Sequence, residues 1–197
     1  MSHYFENDEN LDSKKRILEL YIQDKKISFI SDKGVFSSHQ IDYGSFAFLK
    51  VLLQEDKVDS LLDVGCGYGV LGITLKLFKQ CNCVDLLDIN PRAVRLCKEN
   101  IDSYQLSNVN CFVSDGFKEV KKVYNSIVFN PPIRAGKETI YKIFEDSKQF
   151  LKEKGAFYIV IKKNLGAPSA IQKLQEIYSF VEVMKKDKGY YIIKSFN

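Results

Sequence analysis

Between the apolar run Leu61-Leu62-Asp63-Val64 and an amphipathic stretch from Gly69 to Lys79, the chain places glycines at alternate positions, Gly65, Gly67 and Gly69. A strand that must turn sharply into a helix needs residues without a Cβ, and glycines in that turn also let a ligand approach the backbone. The unit therefore reads as strand, ligand-facing turn, helix, with Val70, Ile73, Thr74, Leu77 and Phe78 approximating one helical face. It sets the pattern for the rest of the chain.

From Leu61 to Phe196, short apolar runs alternate with amphipathic segments, which predicts a layered α/β domain with a mostly parallel sheet. Strands are expected at 84–89, 109–113, 126–129 and 156–161. Asn90 is placed to cap the helix that follows the first of these, and Pro91 fits its first turn. A helix carries Ile140, Ile143, Phe144, Ser147 and Leu151, ended by Gly155; another begins at Ser169. Two final runs, 180–186 and 190–196, flank the turn Asp187-Lys188-Gly189 and read as a terminal hairpin. Before Leu61 the expectation is a helix over 11–22, short strands at 27–30 and 35–36 around Ser31-Asp32-Lys33-Gly34, and a helix over 44–53. Residues 1–56 read as an amino-terminal cap with substrate-side elements, resting over the mouth formed by the ligand-facing turns, and residues 57–197 as the core, together one compact unit.

With 197 residues, 45% of them hydrophobic, the chain is long enough for one substantial core and short for two full domains. Lysine and arginine number 29 against 25 acidic residues, a net charge of +4 that leans toward a nucleic-acid partner without establishing one. Five cysteines, Cys66, Cys81, Cys83, Cys97 and Cys111, follow no zinc-ligand spacing, and no metal is expected. Their apolar neighbours fit a reducing, cytoplasmic setting. Neither a leader segment nor a membrane span is indicated. His3 and His39 accompany no nucleophile triad.

The glycine segment lacks the Gly-Lys-Ser or Gly-Lys-Thr of a phosphate cradle, and its Gly-x-Gly-x-Gly spacing departs from the dinucleotide fingerprint. Asp88 ends the next strand, where a carboxylate can accept hydrogen bonds from two ribose hydroxyls. Asp115 ends the third strand and can accept from an adenine amino group, with Phe117 able to contact the ring; an acidic turn and a core aromatic explain these two almost as well. Asp63 can orient the glycine loop or meet a ligand ammonium. The fourth strand ends in Asn130-Pro131-Pro132-Ile133. The Asn130 side-chain carbonyl and the Pro131 backbone carbonyl are two acceptors able to hold both hydrogens of a planar amine, and the prolines stiffen the turn without adding a donor.

In this order the glycine loop, Asp88, Asp115 and Asn130-Pro131-Pro132-Ile133 resemble the class I methyltransferases that use S-adenosyl-L-methionine. That family has a Rossmann-like α/β fold, typically a seven-stranded, mostly parallel sheet with an antiparallel terminal strand and helices on both faces. The resemblance implies cofactor contacts from Phe36, Asp63, Gly65, Cys66, Gly67, Gly69, Asp88, Ile89, Asp115, Gly116, Phe117 and Asn130. Within that family, Gly34-Val35-Phe36-Ser37, Asp42-Tyr43-Gly44-Ser45, the segment from Asn130 to Lys137 and Lys162-Lys163-Asn164-Leu165-Gly166-Ala167 are similar to the small-domain enzymes related to bacterial 16S ribosomal RNA guanine-N2 methyltransferases. The resemblance implies methyl transfer to guanine N2, with Asn130, Pro131, Pro132 and Ile133 at the reacting end and RNA, in the small ribosomal subunit, as partner. Arg134, Lys137, Lys162 and Lys163 then become candidate substrate contacts. Ile133 stands where many amino methyltransferases place an aromatic residue to stack on the base, so another aromatic is required or the target differs. A glutamine-N5 or adenine-N6 methyltransferase and a noncatalytic nucleotide-binding module are the competing readings.

Overall fold

A computed structural model describes residues 13–132 and 135–197. A seven-stranded sheet is built from β3 (Val58–Val64), β4 (Cys81–Asp88), β5 (Val109–Val113), β6 (Tyr124–Phe129), β7 (Leu151–Lys162), β8 (Phe180–Asp187) and β9 (Tyr190–Phe196), in the order β5-β4-β3-β6-β7-β9-β8. Every pairing is parallel except those of β9, which runs antiparallel to both β7 and β8. The expected architecture and antiparallel terminal strand are therefore present.

Alternation along the central strands feeds two cores. Leu61, Val84, Leu86, Val128, Tyr158 and Val160 point to one face, and Leu62, Leu87, Ile127, Phe129, Phe157 and Ile159 to the other. A strand buried on both sides in this way must be apolar at nearly every position. Helices α1 (Tyr43–Leu52), α2 (Val70–Leu77) and α3 (Pro91–Ser103) cover the first face; α4 (Lys137–Ser147) and α5 (Ala167–Ile177) cover the second. Asn90 caps α3 as expected, its side chain accepting from the Arg92 N–H at 2.9 Å with Pro91 in the first turn.

Three expectations are corrected. Residues 16–22 form a strand, β1 (Arg16–Ile22), not a helix; it pairs antiparallel with β2 (Lys25–Ser31). The cause is local: Leu18, Leu20 and Ile22 repeat at period two, and Gln23 and Asp24 adopt φ of +47° and +60°, the two-residue turn that matches strand twist. The hairpin's buried side chains join the core of the first face. Residues 11 and 12 lie outside the described residues. Val35 and Phe36 lie in a turn, not a strand, because β2 finds its partner upstream. Gly155 does not separate helix from strand: β7 already begins at Leu151, and Gly155 sits at a register shift against β6.

The strand order reverses between β3 and β6, and a crevice opens outside the carboxyl ends of strands at such a point. The glycine loop after β3, Asp88 at the end of β4 and Asn130 after β6 all reach it. No helix among the described residues is long and apolar enough to cross a membrane.

Candidate active site

The crevice is a cleft enclosing about 900 Å³, its open mouth included. Of the sequence-selected residues, Phe36, Gly65, Gly67, Asp88, Ile89, Asp115, Gly116, Asn130 and Pro132 line it. Gly67 has φ of +58°, and a Cβ there would have nothing within 4 Å, so its backbone faces open space. Asp88 holds the loop in this shape: Oδ2 accepts from the Gly67 N–H at 2.8 Å and Oδ1 from the Asn90 N–H at 2.9 Å. Burial raises the Asp88 carboxyl above its ordinary range, with both backbone bonds opposing that shift. Asp88 itself lines the cleft, at the end of β4. Ile89, 43% exposed, presents an apolar side chain at the rim. Sequence reasoning missed the apolar walls Val64, Leu87, Phe129 and Ile143, which read as ordinary core.

Other selected residues are not brought to the cleft. Phe117 turns inward and stacks on Phe150, ring centroids 4.8 Å apart, because the second core recruits it. Asp115, by contrast, lines the cleft at its rim, where it is exposed and paired with Lys118 at 2.5 Å. Gly69 is the left-handed residue, φ +96°, that starts α2, and it lies beneath the loop. Cys66 points into the interior, where its Sγ and those of Cys97 and Cys111 lie within 4.8 Å of one another. These thiols come from a loop, a helix and a strand, so no spacing could reveal the cluster. Burial pushes the Cys66 thiol up. Lys137 and Lys163 are exposed outside the cleft. Ile133 and Arg134 lie outside the described residues.

Asp63 also takes a structural position. It is fully buried, and its Oδ2 accepts from the Gly72 N–H of α2 at 2.9 Å, tying the helix start to β3, while Oδ1 has no partner. An ammonium contact at the cleft is therefore not what holds this side chain. Burial raises its carboxyl to about 8, overriding the opposing Gly72 bond. Raising a folded-state carboxyl pKa means that the native protein keeps a proton which the unfolded chain releases, so stability falls as pH rises from the ordinary carboxylate range toward about 8. The melting temperature is expected to fall between about pH 5 and pH 8 by this linkage, and the decline to flatten in Asp63→Asn. Calorimetric scans showing parallel pH profiles for the two proteins would refute this assignment.

The reacting end is organised by a hydrogen-bond chain that crosses the fold. Asp42 caps α1, accepting from the Ser45 N–H at 3.0 Å, and its other oxygen accepts from the Ser45 hydroxyl at 2.6 Å. With its proton committed to Asp42, the Ser45 oxygen can only accept, and it takes the Asn130 side-chain N–H at 2.9 Å. The Asn130 amide is thus fixed in one orientation, and its Oδ1 accepts nothing among the described residues. The role of Asp42 and Ser45 was invisible in sequence beyond a familiar segment, since the partner lies 85 residues away.

Asn130 also borders a second cavity, of about 810 Å³ with its open mouth included, lined by Asp42, Pro131, Lys162, Tyr190 and mostly apolar neighbours. Phe36, Asn130 and Ile140 line both spaces. The arrangement is two compartments that share a wall containing Asn130.

The Methyltransferase small domain family model matches residues 26–194. The uncharacterized protein YbxB of Bacillus subtilis (strain 168) is 40% identical over 195 residues, covering 98% of this chain and 97% of its own. Ribosomal RNA small subunit methyltransferase C of Psychromonas ingrahamii is 38% identical over 152 residues, 74% of this chain but 42% of that protein. Among solved structures, the Thermus thermophilus 16S rRNA N2 G1207 methyltransferase in complex with AdoMet and guanosine superposes with a TM-score of 0.84 at 21% identity, over 95% of this chain and 52% of that one. The chain thus spans about half the length of these ribosomal RNA methyltransferases. It belongs to the methyltransferase small-domain family.

Proposed function

We propose that the protein transfers a methyl group from S-adenosylmethionine to the exocyclic N2 of guanine in RNA, with small-subunit ribosomal RNA as substrate. The observation that carries this reading is the fixed Asn130 amide, whose free Oδ1 stands beside Pro131 where the two compartments meet. The residues of the first compartment fit the cofactor. The open backbone at Gly67 leaves room for its amino-acid end, Asp88 is placed for the ribose hydroxyls, and Ile89 with the apolar wall suits the adenine ring. When bound, S-adenosylmethionine supplies an electrophilic methyl on a positive sulfur.

The protein's own task is orientation. An arylamine nitrogen is a weak nucleophile because its lone pair is delocalised into the ring. Asn130 Oδ1 and the Pro131 carbonyl accept its two hydrogens and turn the nitrogen toward the first compartment, and alignment of this kind is worth several kcal/mol, on the order of a hundredfold or more in rate. As the nitrogen gains positive charge, the same carbonyl dipoles stabilise it without reorganising. The surplus proton leaves to water afterwards, so no dedicated base is needed before attack.

The chain's resemblance to ribosomal RNA methyltransferases supports RNA as the substrate class. Exposed cations interleaved with aromatics support it further: Lys188 Nζ lies 4.6 Å from the Tyr43 ring, Lys186 4.9 Å from Tyr191 and Lys137 5.1 Å from Tyr141. Such surfaces suit phosphate and unstacked bases together. The test is incubation with labelled S-adenosylmethionine and, separately, ribosomal RNA, small subunits and ribosomal proteins, followed by nucleoside and amino-acid analysis. N2-methylguanine is the expected product; N5-methylglutamine with unlabelled RNA would defeat the proposal.

A further inference from the structure

The second cavity contains two opposite charges that do not neutralise each other. Neither the Asp42 carboxylate nor the Lys162 ammonium forms an ion pair among the described residues, although both line the same space. An acceptor-only group and a donor-only group held apart in one cavity are a complementary pair awaiting a ligand that offers a donor and an acceptor side by side.

Their positions are fixed by the fold. Asp42 is held by the two bonds from Ser45 at the start of α1. Lys162 ends β7 directly opposite Tyr190 of β9, with Nζ 5.7 Å from the tyrosine ring. Gly44 joins the two sides: a Cβ there would stand 2.8 Å from both Asp42 Oδ1 and Tyr190 Cε1, so only glycine lets ring and carboxylate pack against the first turn together. Burial and the neighbouring Asp42 charge raise the Tyr190 phenol, as expected for a ring seated beside a carboxylate. Asp42, Tyr190 and Lys162 thus form one contiguous wall facing Asn130.

We infer that this cavity is the base-reading subsite and that it selects guanine, with Asp42 accepting from N1–H, Lys162 donating to O6 and Tyr190 supplying the aromatic surface that Ile133 lacks. The inference rests on the guanine-N2 reading and names its specificity residues. With the two N2 hydrogens held by Asn130 and Pro131, guanine has N1–H and O6 left on the same edge, a donor beside an acceptor. Adenine with its amine held in the same way would turn its N1 lone pair to the carboxylate and only C2–H to the ammonium. A glutamine amide would leave Tyr190 and at least one charge without a partner. Lys162 thereby acts on the base, whereas exposed Lys163 remains a phosphate contact.

2-Aminopurine riboside isolates the claim, because it keeps the N2 amine and the ring but lacks both N1–H and O6. Affinities of guanosine and 2-aminopurine riboside are to be measured on the protein saturated with S-adenosylhomocysteine. Guanosine is expected to bind at least about tenfold more tightly, since leaving charged groups unpaired discriminates strongly. The ratio of the two affinities cancels general effects of a substitution on folding or on Asn130. That ratio is expected to fall toward unity in Lys162→Met and to fall or invert in Asp42→Asn, whose amide can cap α1 while donating to the bare N1 of 2-aminopurine. A wild-type ratio near unity, a ratio unchanged in both variants, or no binding of either nucleoside would overturn the inference. Failure of the guanine-N2 reading itself shows separately, as a different methylated product in the transfer assay.

Discussion

Asn130→Ala is expected to lower kcat by roughly 10²–10³-fold, in the range found when one preorganised group is removed from a reacting centre. The affinity for S-adenosylmethionine is expected to change less than about threefold, because the Gly67 backbone and Asp88, which also line the first compartment, are untouched by the substitution. Single-turnover transfer and equilibrium binding on the same preparation separate the two quantities. The hydrogen-bond chain sharpens the expectation. Ser45→Ala keeps the Asn130 carbonyl but frees the amide to rotate, and kcat is expected to fall about tenfold at unchanged KM, in keeping with the modest net worth of a single hydrogen bond. Ser45→Thr, which restores a hydroxyl, is expected to recover most of it. Near-normal turnover in Asn130→Ala would sink the amine-orienting role, and a Ser45→Thr enzyme no faster than Ser45→Ala would point to packing, not positioning.

The second large effect divides two glycines that look equivalent in sequence. At Gly69 a Cβ would sit 2.5 Å from Ile73 Cδ1 and 3.0 Å from Cys97 Sγ, in a left-handed conformation. Gly69→Ala is therefore expected to destabilise the protein by about 3 kcal/mol, combining overpacking with backbone strain, or roughly 6–12 °C in Tm for a chain of this size. Gly67 also has positive φ, but its surroundings are open. Gly67→Ala is expected to cost only about 1 kcal/mol in stability while weakening S-adenosylmethionine binding tenfold or more, because the methyl group enters the open space that the proposed function gives to the cofactor. Thermal melts with and without cofactor distinguish them. Equal Tm losses with equal affinity losses would mean that the loop responds as a unit and that the division is wrong.

Much of the core was legible because its strands are buried on both faces, which forces continuous apolar runs such as Ser126–Phe129, and because the turns that end them need particular residues: glycines after β3, Asn90-Pro91 before α3 and Asn130-Pro131 after β6. The amino-terminal hairpin was misread for a physical reason. Its alternation is visible, but its turn is made by Gln23 and Asp24 at positive φ, where no glycine or asparagine marks it. Phe117 failed for the opposite reason: an aromatic near a cleft and an aromatic in a core have the same local sequence, and only packing against Phe150 separates them.

The sequence by itself determined the layered fold, the crevice at the ends of β3, β4 and β6, and the family of chemistry, since each depends on residues close together in the chain. Tertiary structure alone decided which of those residues line the crevice. It buried Asp63 and Cys66, opened Gly67, and joined Asp42, Ser45 and Asn130 into one chain of hydrogen bonds. It also set Lys162 and Tyr190 beside Asp42 in the second cavity. Those groupings join segments dozens of residues apart, and hydrogen bonds and contacts of a few ångströms between such segments exist only once the sheet has brought their ends to the same edge.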